Sequence, residues 1–397
     1  MNKSKCPSLL ARGLLAAGIV FAAVAAHAAA PSFEQTDLFE VGQEGYLSYR
    51  IPCLVVTPKG TVIAINSARR AVSDWAKIDL MMRRSIDGGK TWQERVVIAS
   101  APGKVTVDNP VVIVNRKTGG LHFLYQTNYA RVFHKTSADE GVTWSEPVEI
   151  TPALEEFRTK YNYNWNVIAP GPGHAIQLDN GRLVVPVWLC NSGTKAHRPS
   201  VVATIYSDDS GKTWHCGEIL PDTLKNMNET AAVQLDDGRV ALYIRNEEPG
   251  AYCHAVSYSK DGATGWTKPA LQPELYSPIS FATVTRLSSG RDGGKSRLLY
   301  VHPYNPDDTE VIRATWGARP RAKVTVRLSH DEGKTWPVAK TLDSGRGGYA
   351  DIAVAPDGTI YCLYERGFVE GNNLNTRFLS IARFNLEWLT DGKDSMK

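Results

Sequence analysis

The sequence predicts an all-β protein, a six-bladed β-propeller of four-stranded antiparallel blades, on three observations. A short phrase ending in Trp recurs along the chain, a second glycine-containing turn phrase recurs beside it, and helical periodicity is almost absent. The first phrase reads S-I-D-G-G-K-T-W at 85–92, S-A-D-E-G-V-T-W at 137–144, S-D-D-S-G-K-T-W at 207–214 and S-H-D-E-G-K-T-W at 329–336. A degenerate copy, S-K-D-G-A-T-G-W, stands at 259–266, and successive starts lie 52, 70, 52 and 70 residues apart.

Each copy follows a strand-like run such as V-V-A-T-I-Y and precedes another. Ser and Asp can hydrogen-bond the backbone of a tight turn, and Gly supplies its positive φ. Thr resumes the strand, and Trp can pack on the neighbouring unit. The five aspartates (Asp87, Asp139, Asp209, Asp261, Asp331) are therefore expected to build turns and not to catalyse. The second phrase, P-K-G-T-V-I-A (58–64), D-N-G-R-L-V-V (179–185), D-D-G-R-V-A-L (236–242) and P-D-G-T-I-Y-C (356–362), is a turn leading into a β-rich strand. About 370 residues at 50–70 per unit accommodate six blades. A short helix is expected only near A-L-E-E-F-R-T-K. No Ser/Pro-rich linker divides the chain, so residues 29–397 read as one domain.

The first 28 residues read as a cleaved signal peptide. Lys3, Lys5 and Arg12 precede the apolar run L-L-A-A-G-I-V-F-A-A-V-A-A, and Ala26-His27-Ala28 makes a cleavage site. The expected product is exported, periplasmic or secreted. Loss of these three cations takes the formal charge from +4 to about +1. No Lys/Arg cluster with interleaved aromatics points to nucleic acid, and no later segment reaches the apolar length of a membrane span. Cys53, Cys190, Cys216, Cys253 and Cys362 are widely spaced and form no metal pattern; most are expected to be small buried hydrophobes, with one disulfide left open.

A further signal is Tyr49-Arg50-Ile51-Pro52, after the first strand-like stretch. Four intact Trp-ending repeats in order with Y-R-I-P resemble the sialidases, exo-acting neuraminidases, and the resemblance runs through nearly all of residues 29–397. The repeats are the Asp-boxes of that family and of several other propeller families. The resemblance implies a sialidase-like propeller acting on sialylated glycans, as a monomer without cofactor or metal. A sialic acid carries a carboxylate on its anomeric carbon, which planar guanidinium forks pair with bidentately. By resemblance the family's three carboxylate-binding arginines are Arg50, Arg245 in A-L-Y-I-R-N-E, and Arg321 ahead of the last Asp-box, with Arg319 and Arg327 as alternatives to the last.

Glycoside hydrolysis generally uses two carboxylates, sialidases with their tyrosine nucleophile being an exception. A carboxylate attacking a centre that already bears one brings like charges together, and a neutral phenol avoids this until the bond forms. Tyr349, in S-G-R-G-G-Y-A-D, is then the nucleophile implied, its two preceding glycines letting the backbone bend. A phenol needs a base beside it, and Glu229 in N-M-N-E-T-A-A fits that place. Asp74, in a loop between the first two inner strands and 24 residues after Arg50, is the acid/base, with Asp79 as alternative. A substrate-filled site could raise its pKa. Arg69 (or Arg70) and Asp108 resemble the pair that contacts the ring 4-hydroxyl, and Glu365 the acid that orients Arg50. His174, in A-P-G-P-G-H-A-I-Q-L, is read as part of a glycine-rich rim turn rather than as a base.

Overall fold

Strands sandwiched between two neighbouring sheets are buried on both faces, and the central strands here are of that kind. Val62–Arg69, Leu183–Cys190 and Val240–Ile244 are buried at every position. The computed structural model describes Met1 and residues 29–396 apart from 194–195, 312–316, 368 and 370–375. The expected signal peptide therefore lies, Met1 aside, outside the described residues.

Six antiparallel blades, I to VI, follow one another along the chain. Their innermost strands are Ser48–Val56 in I, Val107–Val114 in II, Val167–Pro170 with Ile176–Gln177 in III, Thr230–Gln234 in IV and Thr283–Ser288 in V. The sixth is the second half of Val338–Val354. That long strand is shared. Its first half pairs with Ala322–Ser329 as the outer strand of V, and its second half pairs with Ile360–Arg366 inside VI, so V and VI form one seven-stranded sheet. Blade VI is completed by the N-terminal strand Phe33–Glu40, which pairs with Phe378–Phe384 and closes the ring. The inner strand of VI then packs against that of I.

Each Asp-box joins the third strand of its blade to the fourth, in the form expected. In blade I, Ser85 Oγ donates to Asp87 Oδ1 at 2.8 Å, the Gly89 N–H donates to Ser85 Oγ at 2.8 Å, and the Thr91 N–H and hydroxyl donate to Asp87 at 3.0 and 2.6 Å. The copies at Asp139, Asp209 and Asp331 repeat this pattern, and the degenerate one closes on Thr264 one residue earlier. Gly333, at φ 80°, has a second reason to be glycine, since a Cβ there would collide with the Tyr243 hydroxyl of blade IV. Trp336 is buried with its ring 5.4 Å from Tyr300 of its own blade and 6.1 Å from Tyr243, thus packing on the neighbouring blade IV. The short helical stretch is present as a 3-10 turn, Thr151–Glu155, running into Glu156–Thr159. The five cysteines among the described residues are buried free thiols, Cys6 lying outside them, and no described helix is long and apolar enough to cross a membrane.

The boxes make stability depend on pH. Hydrogen bonds from the Thr hydroxyl, then the Thr N–H, hold the carboxyls of Asp87, Asp139 and Asp209 below the usual range. A depressed carboxyl contributes stability above its unfolded pKa of about 3.9 and loses it as pH falls below that towards the folded value. Calorimetry from pH 7 to 3 should show Tm dropping steeply below about pH 4. A D87N/D139N/D209N variant should start lower and fall less over the same interval.

Candidate active site

The inner strands of I and II begin with one device. Arg50-Ile51-Pro52 and Asp108-Asn109-Pro110 each place a left-handed residue (Ile51 φ 55°, Asn109 φ 58°) between a polar side chain and a proline. The ladder to the second strand breaks there in both, between Arg50 and Cys53 and between Asp108 and Val111. Such bulges re-aim the preceding side chain. A β-branched residue at positive φ is strained and persists only where its surroundings hold it. Arg50 and Asp108 thereby line a cleft of about 560 Å³ at one end of the channel, together with Arg69, Asp74, Glu229, Arg245, Arg321 and Tyr349.

Tyr349 is the centre of that group. Its hydroxyl donates to Glu229 Oε2 and accepts from Arg245 Nη1 at 2.7 Å, while Arg245 also pairs with Glu229. The Arg50 and Arg321 guanidiniums lie 5.2 and 4.8 Å from its ring centroid. Burial is the largest influence on the phenol and raises its pKa; Arg245 pulls it down and Glu229 pushes it up again, leaving it above its ordinary value. Tyr349 is thus a neutral phenol with an acceptor already on its proton. Arg50 donates to Glu365 at 3.1 Å, whereas among the described residues the Arg321 side chain donates only to the Ile279 carbonyl, at 2.8 Å, and its buried Nε has no partner. Burial, then Arg50 and Arg245, lower the Arg321 pKa. Three clustered cations, one without a carboxylate, call for an anion.

Arg69 bridges two carboxylates, donating to Asp74 at 2.6 Å and to Asp108 at 3.1 Å. Asp74 lies half-exposed in the turn between the second and third strands of blade I, Val62–Arg69 and Ile78–Ser85, not between two inner strands as expected. Burial would raise its pKa, but Arg69, then Arg50 and His197, hold it well below the usual range. In the ligand-free site, then, Asp74 is ionised. The alternatives lie elsewhere. Asp79 is tied to Tyr46, Lys77 and Ser100, Arg70 stacks on Tyr46, Arg327 donates to His302, and Arg319 stacks on Tyr252. His174 sits towards the opposite end of the channel, against Asp351.

Two features were not anticipated. One is an aromatic wall. Trp75 (40% exposed), Tyr129, Trp188 and His197 line the cleft with ring centroids 4.4 to 5.8 Å apart. They come from three separate stretches of chain, so no local pattern announces them, although Trp75 beside Asp74 was a visible cue. The other is a second role for Gly347 and Gly348. Neither has positive φ, and the ladder to Ile360–Arg366 shifts register between Gly347 and Ala350, so the strand is irregular where they were expected to let it bend. They also leave room: a Cβ at 348 would collide with the Glu365 carboxylate, and one at 347 would stand 2.6 Å from Val324.

The BNR repeat-like domain family matches residues 76–362. The chain belongs to that family. Within it, the chain is similar in sequence to bacterial and mammalian sialidases. It is 29% identical over 388 residues to the sialidase of Micromonospora viridifaciens, covering 90% of this chain and 55% of that one, so it spans about half of that relative. It is 27% identical over 385 residues to Sialidase-3 of Mus musculus, covering 83% and 90%. Among solved structures, the Hadza microbial sialidase matches with a TM-score of 0.73 at 23% identity, over 89% of this chain and 69% of that one, which is agreement in fold.

Room at position 348 is a testable requirement of this BNR-repeat protein. Gly348→Ala should cost about 1–3 kcal/mol in denaturant unfolding, as overpacking of a tight site does. Gly181→Ala, in an open turn, should differ because its penalty comes from φ 96° alone and leaves the cleft intact. Ligand affinity should fall with the first substitution only.

Proposed function

We propose that this chain is an exported, retaining exo-α-sialidase that hydrolyses terminal sialic acids from glycoproteins, glycolipids and oligosaccharides. The observation that carries the reading is the Tyr349 hydroxyl, held between Glu229 and Arg245 beside Arg50 and Arg321, the latter without a carboxylate partner among the described residues. Arg50, Arg245 and Arg321 would hold the substrate carboxylate, which sets the anomeric carbon over the phenol. Arg69 and Asp108, already joined, would take the ring 4-hydroxyl.

In the first step the Tyr349 oxygen bonds to the anomeric carbon and its proton passes to Glu229. The bond to the aglycone breaks, and Asp74, protonated in the complex, gives its proton to the departing oxygen. In the second step Asp74, now a carboxylate, takes a proton from water as that water attacks the anomeric carbon. The tyrosyl oxygen leaves and recovers its proton from Glu229. Two inversions give retention. Similarity to curated sialidases over most of this chain supports the assignment.

Purified protein given an α-sialoside should release the α-anomer first by NMR, and added lactose should not divert product into sialyl-lactose; a dominant transfer product would make it a trans-sialidase. Intact protein without product from any α-sialoside would overturn the reading. Asp74→Asn should slow sialyl-lactose about 10²–10⁴-fold, while a phenolic sialoside, whose leaving group needs little protonation, should suffer far less. Arg321→Ala should raise KM about 10–100-fold, the worth of a charge-assisted hydrogen bond.

A further inference from the structure

The channel has a second mouth, at the end opposite the cleft. The far ends of the inner strands of all six blades frame a cavity of about 400 Å³ there, and it reaches inward to His174, one of a pair that the proposed chemistry does not use. His174 Nδ1 lies 2.6 Å from Asp351 Oδ1, and Asp351 is fully buried. Asp351 Oδ2 accepts the Leu54 N–H at 2.7 Å. Gly173 brings His174 to the axis: at φ 92° it packs so closely that a Cβ there would stand 3.1 Å from the Phe281 ring and 3.4 Å from Asp351 Oδ2. Burial would lower the imidazole pKa, but Asp351 outweighs it and the pKa lies above its ordinary value. The two are an ion pair whenever the imidazole is protonated.

Their position relates them to the cleft. Asp351 lies two residues beyond Tyr349 on one strand, just past the register shift between Gly347 and Ala350. Leu54 lies just past the bulge that carries Arg50 and the strained Ile51. The Arg50 strand and the Tyr349 strand belong to different sheets and share no backbone ladder. Side chains therefore have to set their mutual register. Glu365 grips the bulge at its cleft end, through the Arg50 Nε and the Ile51 N–H. Asp351 grips it at the far end, through Leu54. A backbone out of its preferred region relaxes unless both sides are held.

We propose that Asp351, oriented by His174, is a positioning residue for Arg50: it pins the far end of the bulge and so fixes the distance between that guanidinium and Tyr349. This rests on the sialidase reading of the cleft. Asp351 touches neither substrate nor any reacting atom. Its loss should act where Arg50 acts, on a carboxylate held alike in ground and transition states, and so on KM more than on kcat.

The test compares wild type, Asp351→Ala, Asp351→Asn and His174→Ala, using sialyl-lactose kinetics and calorimetric titration with sialic acid. Asp351→Ala should raise KM and Kd at least about tenfold while kcat stays within about threefold. Asp351→Asn keeps an acceptor for the Leu54 N–H and should return KM to within about threefold of wild type. His174→Ala should fall between. A folded Asp351→Ala protein with wild-type KM and Kd overturns the proposal, as does an Asn variant no better than the Ala one. Should Asp351→Ala not fold, a wild-type KM in His174→Ala overturns it equally. Failure of the sialidase reading shows separately, as a wild-type protein without turnover; if that protein still binds sialic acid, the calorimetric comparison decides the positioning role.

Discussion

One buried carboxylate, Glu365, holds the two ends of the chain in working relation. It accepts from the Arg50 Nε, the Ile51 N–H and the Tyr349 N–H, at 3.1, 3.2 and 3.1 Å. A lone buried carboxylate is costly, and here one cation and two amides offset that cost. The same contacts decide the neighbouring sequence. The carboxylate occupies the space where position 348 would carry a Cβ, and it helps hold Ile51 in a conformation that a β-branched residue rarely adopts. Arg50 and Glu365 are 315 residues apart, so this joint exists only because Phe33–Glu40 completes the last blade and brings I against VI.

The propeller separates stability from chemistry by direction. Inner strands run away from the cleft, second strands return to it and third strands run away again, so the Asp-boxes after the third strands gather at the far end. There they repeat almost unchanged, since each solves the same local problem of closing a turn against the next blade. The cleft end is built from the entries of those same strands, where each blade carries something different: Arg50, Asp108, Glu229, Tyr349. The paired bulges of I and II show how a repeated backbone device can present unlike side chains.

What was legible in the sequence was whatever is local or recurrent. The boxes are short, and their side chains bond within a few residues, so pattern and structure coincide. The polar residues before strands were legible too, through resemblance in Y-R-I-P and N-E-T. The shared strand of V and VI was hidden, because S-G-R-G-G looks like a break when its glycines in fact admit Glu365 and Val324. The aromatic wall, the His174–Asp351 pair and the N-terminal strand in blade VI were hidden for one reason. Each joins segments far apart in the chain, and nothing in either segment's own periodicity encodes its partner.

The least expected part of the site is the state of Asp74. The carboxyl that donates a proton in the proposed mechanism is held ionised, with Arg69 at 2.6 Å and the fields of Arg50 and His197 adding to the effect. The proposed substrate answers this by its own charge. A carboxylate on Arg50, Arg245 and Arg321 cancels part of the positive field that keeps Asp74 low and adds a negative one, while the sugar displaces water from a side chain that is now half-exposed. Both changes push the carboxyl upward, and neither acts before the ligand arrives. With an empty cleft, ionised Asp74 also balances Arg69, whose other carboxylate partner is the buried Asp108. The ion pair that stabilises the resting site is therefore the one that binding must weaken, and the anion that the arginines select is the agent that weakens it.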